Sequence, residues 1–276
     1  MRNDILNSNY GNVLIMTKKY PIEKRLKWEC PEEGGAPLLT MPNIPKPLHA
    51  VAPRAIMGEQ AWTKVRKRAY YDAGYRSEIS RVLSAGPGGL HAHEVYDINY
   101  VTGICKFKRV CAITPQEHVY FIHSGRMLTL WKNGNPLYST ERVLAGIENG
   151  FKLIYEWNKA HPRRKKLKVY QTILEYLKYP ELADKLEELI DKYEIEFWGE
   201  DVKHMCDWED WKLMIGDKEY PTPYANYQAW EEAMKVKSAE DTQRQVQNPF
   251  TGGVYDEINK LLKEEYEEES KSREGL

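Results

Sequence analysis

The spacing of apolar and polar positions divides the chain into an irregular start, a mixed centre and a second half of helical character. Up to Pro53 the sequence is dense in proline and glycine, so residues 1–59 are predicted to form an extended arm, because proline cannot occupy a helix interior. Trp62, Val65 and Ala69 then fall on one helical face, and most lysines and arginines of that segment fall elsewhere. This pattern predicts an amphipathic helix with a basic side.

The centre of the chain, residues 60–127, is predicted to contain a β-hairpin followed by a short helix. Apolar and polar residues alternate over 104–110, and the preceding Thr102-Gly103 pair is typical of a tight turn between two strands. Thr114-Pro115-Gln116-Glu117 is typical of a helix start, with a threonine cap, a proline in the first position and a glutamate in the third. The predicted order is therefore helix, loop, hairpin and helix.

Residues 128–254 are predicted to be mostly helical. Apolar residues recur at helical spacing over 139–193, and Pro180 divides the later part of this stretch into two helices. The segment 208–220 has two tryptophans and a Gly-Asp turn, which predict a small hairpin, and residues 255–276 predict an acidic helix that ends in a disordered tail. The fold class is α+β: an extended N-terminal arm, a ββα module and a mostly helical C-terminal region.

The composition of the 276-residue chain is that of an ordinary folded protein, with 42% hydrophobic and 29% charged residues and a formal net charge of −1. Such a balance provides no overall positive field for nucleic acid, so any such contact has to come from local patches. The four cysteines are scattered without CxxC spacing, and no apolar run approaches the roughly 20 residues of a membrane-spanning helix. These features predict a cytoplasmic protein with no membrane role.

Four of the seven histidines fall within 33 residues, in the segment predicted to fold as hairpin and helix: His91, His93, His118 and His123. Histidine both binds metals and titrates near neutral pH. Glu94 stands beside the first pair and Arg126 follows the last. Phosphodiester hydrolysis requires these groups: an imidazole to activate water, ligands for a divalent cation, and a positive charge for the developing phosphate charge. Histidines at the ends of strands and helices also serve as hydrogen-bonded structural residues, and that interpretation stays open.

The segments around these histidines resemble the HNH (ββα-metal) nuclease superfamily, including the bacteriocin DNases of the colicin type. The resemblance is carried by Leu90-His91-Ala92-His93-Glu94-Val95-Tyr96-Asp97, the hairpin, Thr114-Pro115-Gln116-Glu117-His118 and Ile122-His123-Ser124-Gly125-Arg126. Further segments are more loosely similar to phage and bacterial HNH proteins that carry a zinc knuckle: 47–50, 53–58 and the hairpin with Trp208 and Trp211.

The resemblance implies a metal-dependent DNA endonuclease encoded by a phage or mobile element, acting in the host cytoplasm if phage-encoded. It makes His93 the general base that activates water, with His118 and His123 as ligands of a divalent cation such as Mg²⁺ or Mn²⁺. His91 or Glu94 then completes the metal shell. Phosphate contacts are assigned to basic residues of the second strand and of a later basic run: Lys106, Lys108, Arg109, Arg163, Arg164, Lys165 and Lys166.

The sequence departs from the family pattern in three places. Ser77-Glu78-Ile79-Ser80 and Thr114-Pro115-Gln116-Glu117 stand where the zinc-knuckle relatives carry CxxC pairs, so a structural zinc ion is not expected. The asparagine that orients the base in the family falls near Arg109, and arginine cannot accept a hydrogen bond. His118 and His123 are five residues apart, about 140° around an ideal helix, so a helix start shifted to the later residues, or a bulge, is needed to bring both to one metal ion.

These departures keep two alternatives open. The first is a catalytically inactive HNH-fold protein that binds a protein partner or nucleic acid, for example a phage factor acting on a host defence enzyme. The second is a helical scaffold with incidental histidines. Metal dependence of stability and activity distinguishes both from the endonuclease.

Overall fold

A computed structural model describes residues 19–84, 89–201 and 205–236 and shows a mixed α and β architecture. The strands are β1 Ile22–Arg25, β2 Lys27–Trp28, β3 His91–Asn99, β4 Ile104–Ile113, β5 Val169–Tyr170, β6 Phe197–Glu200, β7 Lys212–Ile215 and β8 Lys218–Pro221. The α-helices are α1 Pro53–Asp72, α2 Ser124–Lys132, α3 Thr140–Ala160 and α4 Pro180–Lys192, with a further helical segment at 227–236. A π-helix covers Gln116–Ile122, and 3₁₀ segments cover Ala36–Thr40, Lys46–Val51, Gln171–Lys178 and Trp208–Asp210.

The predicted hairpin is confirmed as β3 and β4, which pair antiparallel in the centre of a five-stranded sheet of order β2-β3-β4-β7-β8. The turn residue Gly103 has a φ of +66°, and a side chain there would meet the Cys206 Sγ at 2.6 Å. Glycine is therefore required at this position both for its conformation and for lack of space. The register opposes His93 to Cys111 and shifts at a bulge between Val95 and Tyr96.

Two of the predicted helices of the second half are confirmed as α3 and α4, and Pro180 is the first residue of α4. The stretch before Pro180, also predicted to be a helix, forms β5 and a 3₁₀ segment instead. Val143, Ile147 and Phe151 of α3 are fully buried, in keeping with their helical spacing. The ring of Phe121 in the π-helix packs edge-on against Phe151 at 6.0 Å. The ββα segment and the helical region therefore share one hydrophobic core, and that core holds the π-helix in place.

The described residues of the proline-rich stretch up to Ala52 are irregular, as predicted, but they belong to the body of the protein. They form β1, β2 and two 3₁₀ segments, and Leu38 and Leu48 have no solvent exposure. The prolines prevent α-helix while the leucines still bury apolar surface, which is why this stretch packs in short turns. Residues 53–59, which the predicted arm included, form the start of α1 instead.

The small tryptophan-containing hairpin is confirmed as β7 and β8, and it extends the large sheet by pairing parallel to β4. The acidic segment predicted for 255–276 lies outside the described residues. Within the ranges that the structure describes, no helix has both the length and the apolar character needed to cross a membrane.

Candidate metal centre

The four histidines predicted from the sequence converge at one place. His91 and His93 lie two residues apart on β3, so their side chains share one face of the strand. The Nδ1 of His93 lies 3.1 Å from the Nε2 of His118, and the Nδ1 of His91 lies 3.0 Å from the Nδ1 of His118. The ring of His123 is centred 4.5 Å from that of His118 and 5.2 Å from that of His93.

Three of these residues, His93, His118 and His123, each offer a ligand nitrogen within 4.8 Å of the other two, so the cluster can hold a metal ion. The contacts of His118 run through both of its ring nitrogens, and a neutral imidazole carries hydrogen on only one of them. His118 therefore donates to one neighbouring histidine and accepts from the other.

A π-helix is the local feature that brings His118 and His123 together. The backbone N–H of His123 donates to the carbonyl of His118 at 2.9 Å, which is the i to i+5 bond of a π-turn. In an α-helix the same two residues would lie about 140° apart. The widened turn returns them to one face and supplies the bulge that their spacing required. Isolated π-turns are rare and are found mostly at functional sites.

The site holds its imidazoles neutral. His93 is buried, with 5% of its surface exposed. Burial lowers the pKa of His118 to about 3 and that of His123 to about 4, and it lowers the pKa of His93 well below its ordinary value. The positive charge of Arg54 acts in the same direction on all three. Neutral imidazoles present lone pairs, which is the state that binds a cation.

Two arginines flank the histidines. Arg126, predicted from the sequence, is exposed beside the cluster, and its charge lowers the pKa of His118 and His123. Arg54 at the start of α1 was not predicted as a site residue. It lies 37 or more residues before the histidines in the sequence, so no local pattern connects it with them. The two arginines place fixed positive charge near the neutral histidines of the candidate cation site.

Glu94 stands apart from the converging nitrogens. Strand alternation places its side chain on the opposite face of β3 from His91 and His93. Burial raises the pKa of its carboxyl, and the charge of Arg54 opposes that shift. The structure therefore does not bring Glu94 into the group of His93, His118 and His123.

A buried carboxylate fixes the segment that carries His118. Glu117 accepts hydrogen bonds from the Ser77 hydroxyl at 2.7 Å, from the backbone N–H of Thr114 at 2.7 Å and from the backbone N–H of Ser80 at 3.1 Å. In return the backbone N–H of Glu117 donates to the Thr114 hydroxyl at 3.2 Å, which completes the capping box predicted from the sequence.

The network of Glu117 joins two segments that are distant in the sequence, 77–80 and 114–117. A carboxylate with hydrogen-bond donors from each segment cross-links them without thiolates. Because Glu117 immediately precedes His118, its hydrogen bonds fix the position of the π-helix.

The residues predicted to contact phosphate are only partly available. Lys106 and Arg163 are exposed, whereas Lys108 lies 3.2 Å from Asp97 and Arg109 pairs with Glu78 at 2.6 Å. Three members of the later basic run also pair with glutamates: Arg164 with Glu33, Lys165 with Glu23 and Lys166 with Glu196. Such exposed pairs contribute little to stability, but they offset the charge of the run.

The metal-free protein is expected to lose stability as the pH falls from 6.5 towards 4. The pKa of His118 and His123 is about 3 and about 4 in the folded chain against 6.5 for the ordinary side chain, so the unfolded chain takes up protons first. The contribution of the neutral His118 and His123 to the free energy of unfolding is fully present above pH 6.5. About 2 kcal/mol per histidine is lost by pH 5. Thermal unfolding in EDTA at pH 7.5 and pH 5 checks this, and a His118→Asn variant should show a smaller difference. Equal melting temperatures at the two pH values would contradict the burial of these imidazoles.

Comparison of the chain with protein-family models, curated proteins and solved structures finds no match. The chemistry and geometry of the histidine cluster are therefore the basis on which a function is assigned.

Proposed function

We propose that the chain is a metal-dependent nuclease of the HNH type that hydrolyses phosphodiester bonds in DNA. The observation that carries the proposal is the convergence of His93, His118 and His123 on a β-hairpin followed by a helix, flanked by Arg54 and Arg126. This set combines a cation site with positive charge suited to phosphate.

The residues present fit a cation. Ligand nitrogens 2.0–2.1 Å from a tetrahedral metal ion lie about 3.3 Å apart. The His93 and His118 nitrogens, at 3.1 Å, are already close to that spacing. Imidazole donors suit Zn²⁺ or Ni²⁺, whereas Mg²⁺ prefers oxygen ligands. Among the divalent cations that the family resemblance implied, we therefore propose a transition-metal ion and not Mg²⁺.

His91 acts in this proposal through His118. With its Nε2 on a cation, His118 would carry its hydrogen on Nδ1 and donate to the Nδ1 of His91, which lies 3.0 Å away. That hydrogen bond would fix the tautomer and ring orientation of His118. Arg54 and Arg126 would hold the phosphate, and a cation held by His93, His118 and His123 would supply a Lewis acid and lower the pKa of water.

The family resemblance and the site geometry assign different roles to His93. The family resemblance made it the general base, whereas its burial among His118 and His123 favours a place in the metal shell. The His93→Ala variant separates the two roles. As a ligand, His93 is expected to be needed for both metal affinity and cleavage; as a general base, it would be needed for cleavage alone.

Plasmid cleavage by metal-stripped protein, resupplied separately with Mg²⁺, Mn²⁺, Ni²⁺ and Zn²⁺, tests the activity. We expect cleavage with at least one transition metal and none in EDTA. Cleavage that persists in EDTA, or none with any metal in folded protein, would contradict the nuclease proposal.

A second candidate is an HNH-fold protein that binds a partner without catalysis. Its support is Arg109, which falls near the position of the asparagine that orients the base in the family. Arg109 pairs with Glu78, and arginine has no acceptor atom that could orient a histidine. Metal binding without cleavage would select this candidate.

A further inference from the structure

We infer that the exposed face of α1 and the loop after it bind single-stranded nucleic acid beside the histidine cluster. The inference rests on the proposed nuclease function, because it names the substrate form that would reach that site. Its first support is position: α1, whose first turn carries Arg54, packs against β3 and β4, and β3 carries His91 and His93. A kink at Gly58, with φ of 74°, separates that turn from the body of the helix.

The body of α1 presents one exposed stripe of cations and an aromatic ring. Lys64, Lys67, Arg68 and Tyr71 are all exposed and follow the three- and four-residue spacing of one helix face. The opposite face packs inward, where Ala69 is buried. From Lys64 to Tyr71 the stripe runs about 10 Å, and the loop after the helix extends it with Tyr75, so it can follow several consecutive phosphates.

The charge of this region contrasts with that of the whole chain. Residues 53–84 contain seven basic and three acidic residues, a net charge of +4 in a chain whose net charge is −1. One of the acids, Glu78, is already paired with Arg109 outside the region. Within the region Arg68 pairs with Asp72 at 2.8 Å, an acid that the net charge of +4 already counts. In the basic run at 163–168, four of the cations pair with glutamates from elsewhere in the chain. The α1 face is therefore the better surface for phosphate.

Exposed apolar groups lie among these cations. Tyr71 and Tyr75 are 54% and 49% exposed, and Val82 and Leu83 in the same loop are each 56% exposed. The guanidinium of Arg68 lies 5.8 Å from the centre of the Tyr71 ring. Tyr75 adopts a φ of +56°, a backbone conformation that is uncommon for a residue other than glycine.

The combination of cations and exposed tyrosines favours single strands over duplex. In single-strand binding surfaces the phosphates follow the basic groups while the bases stack on aromatic rings. The bases of a duplex are stacked on each other and are not available to Tyr71 and Tyr75. An acidic protein would satisfy the charge but would leave the rings without stacking partners.

Fluorescence anisotropy in EDTA tests the inference without catalysis, with labelled single-stranded DNA, single-stranded RNA and a DNA duplex of equal length as probes. We expect at least one single strand to bind about tenfold more tightly than the duplex, and the two single-stranded arms identify the preferred chemistry. The Tyr71→Ala/Tyr75→Ala double variant should lose about tenfold or more in affinity, since each stacked base contributes measurably. The Tyr71→Phe/Tyr75→Phe double variant should keep its affinity.

Two further variants complete the test. The Lys64→Ala/Lys67→Ala variant should weaken binding and flatten its salt dependence. The Lys178→Ala/Lys185→Ala variant, at two exposed lysines outside this surface, should change neither. Equal affinity for duplex and single strands, no loss in the tyrosine-to-alanine variant, or equal displacement by polyglutamate would overturn the inference. EDTA removes catalysis from the binding assay, so the two proposals can fail separately. Single-strand binding in EDTA, together with no cleavage in the metal assay, would contradict the nuclease proposal alone.

Discussion

His118→Ala is expected to reduce DNA cleavage at least about a thousandfold. His118 is the centre of the cluster: it contacts His91 and His93 through its two nitrogens, and its ring packs against His123. Under the proposed function, its removal takes away a cation ligand and the group that His91 orients. A loss of about 4 kcal/mol of transition-state stabilisation, which corresponds to a thousandfold, is in the range that a bound metal ion supplies.

The matched control for this variant is His161→Ala. His161 stacks on Trp157 at the end of α3 and has no contact with the cluster. Cleavage by the control is expected to stay within a few-fold of that of the unchanged protein, measured at equal concentration and in the same metal. If His118→Ala cleaved DNA as fast as the control, the cluster would not be the catalytic site.

Replacement of Glu117 by alanine is expected to lower the free energy of unfolding by about 3 kcal/mol or more. The change leaves two hydrogen-bond donors without an acceptor in a buried site, the Ser77 hydroxyl and the backbone N–H of Thr114. It also removes one of the two acceptors of the Ser80 N–H, which keeps the Ser77 hydroxyl at 3.2 Å. Each unsatisfied buried donor costs about 1–3 kcal/mol. Since Glu117 also anchors the π-helix, metal affinity at His118 should fall as well.

Denaturant unfolding of the metal-free protein measures this effect, with Glu141→Ala as the control. Glu141 is also in the first turn of a helix, but it is exposed, so its removal should cost less than about 1 kcal/mol. A loss for Glu117→Ala no larger than that for Glu141→Ala would show that the carboxylate does not cross-link the two segments.

The elements with strong local patterns were predictable from the sequence. The hairpin turn at Gly103, the helix start at Thr114 and the helix break at Pro180 follow from properties of those residues themselves. The clustering of the four histidines was predictable as well, because they share one supersecondary unit.

Features that depend on distant contacts were not predictable. The π-turn between His118 and His123 depends on packing of Phe121 against α3 and on the Glu117 network, which reaches Ser77, 40 residues earlier. Arg54 joins the site only because α1 returns to the hairpin. For the same reason the basic run appeared available for phosphate, since its pairing with glutamates up to 142 residues away has no local signal.

The central claim, a cation site made by His93, His118 and His123, is tested most directly by calorimetric titration of metal-stripped protein with Zn²⁺ and Ni²⁺ at pH 7.5. We expect one ion per chain, with binding strongly weakened in each of the alanine variants at these three positions and unchanged in His161→Ala. Absence of binding, or binding that survives all three substitutions, would contradict the claim.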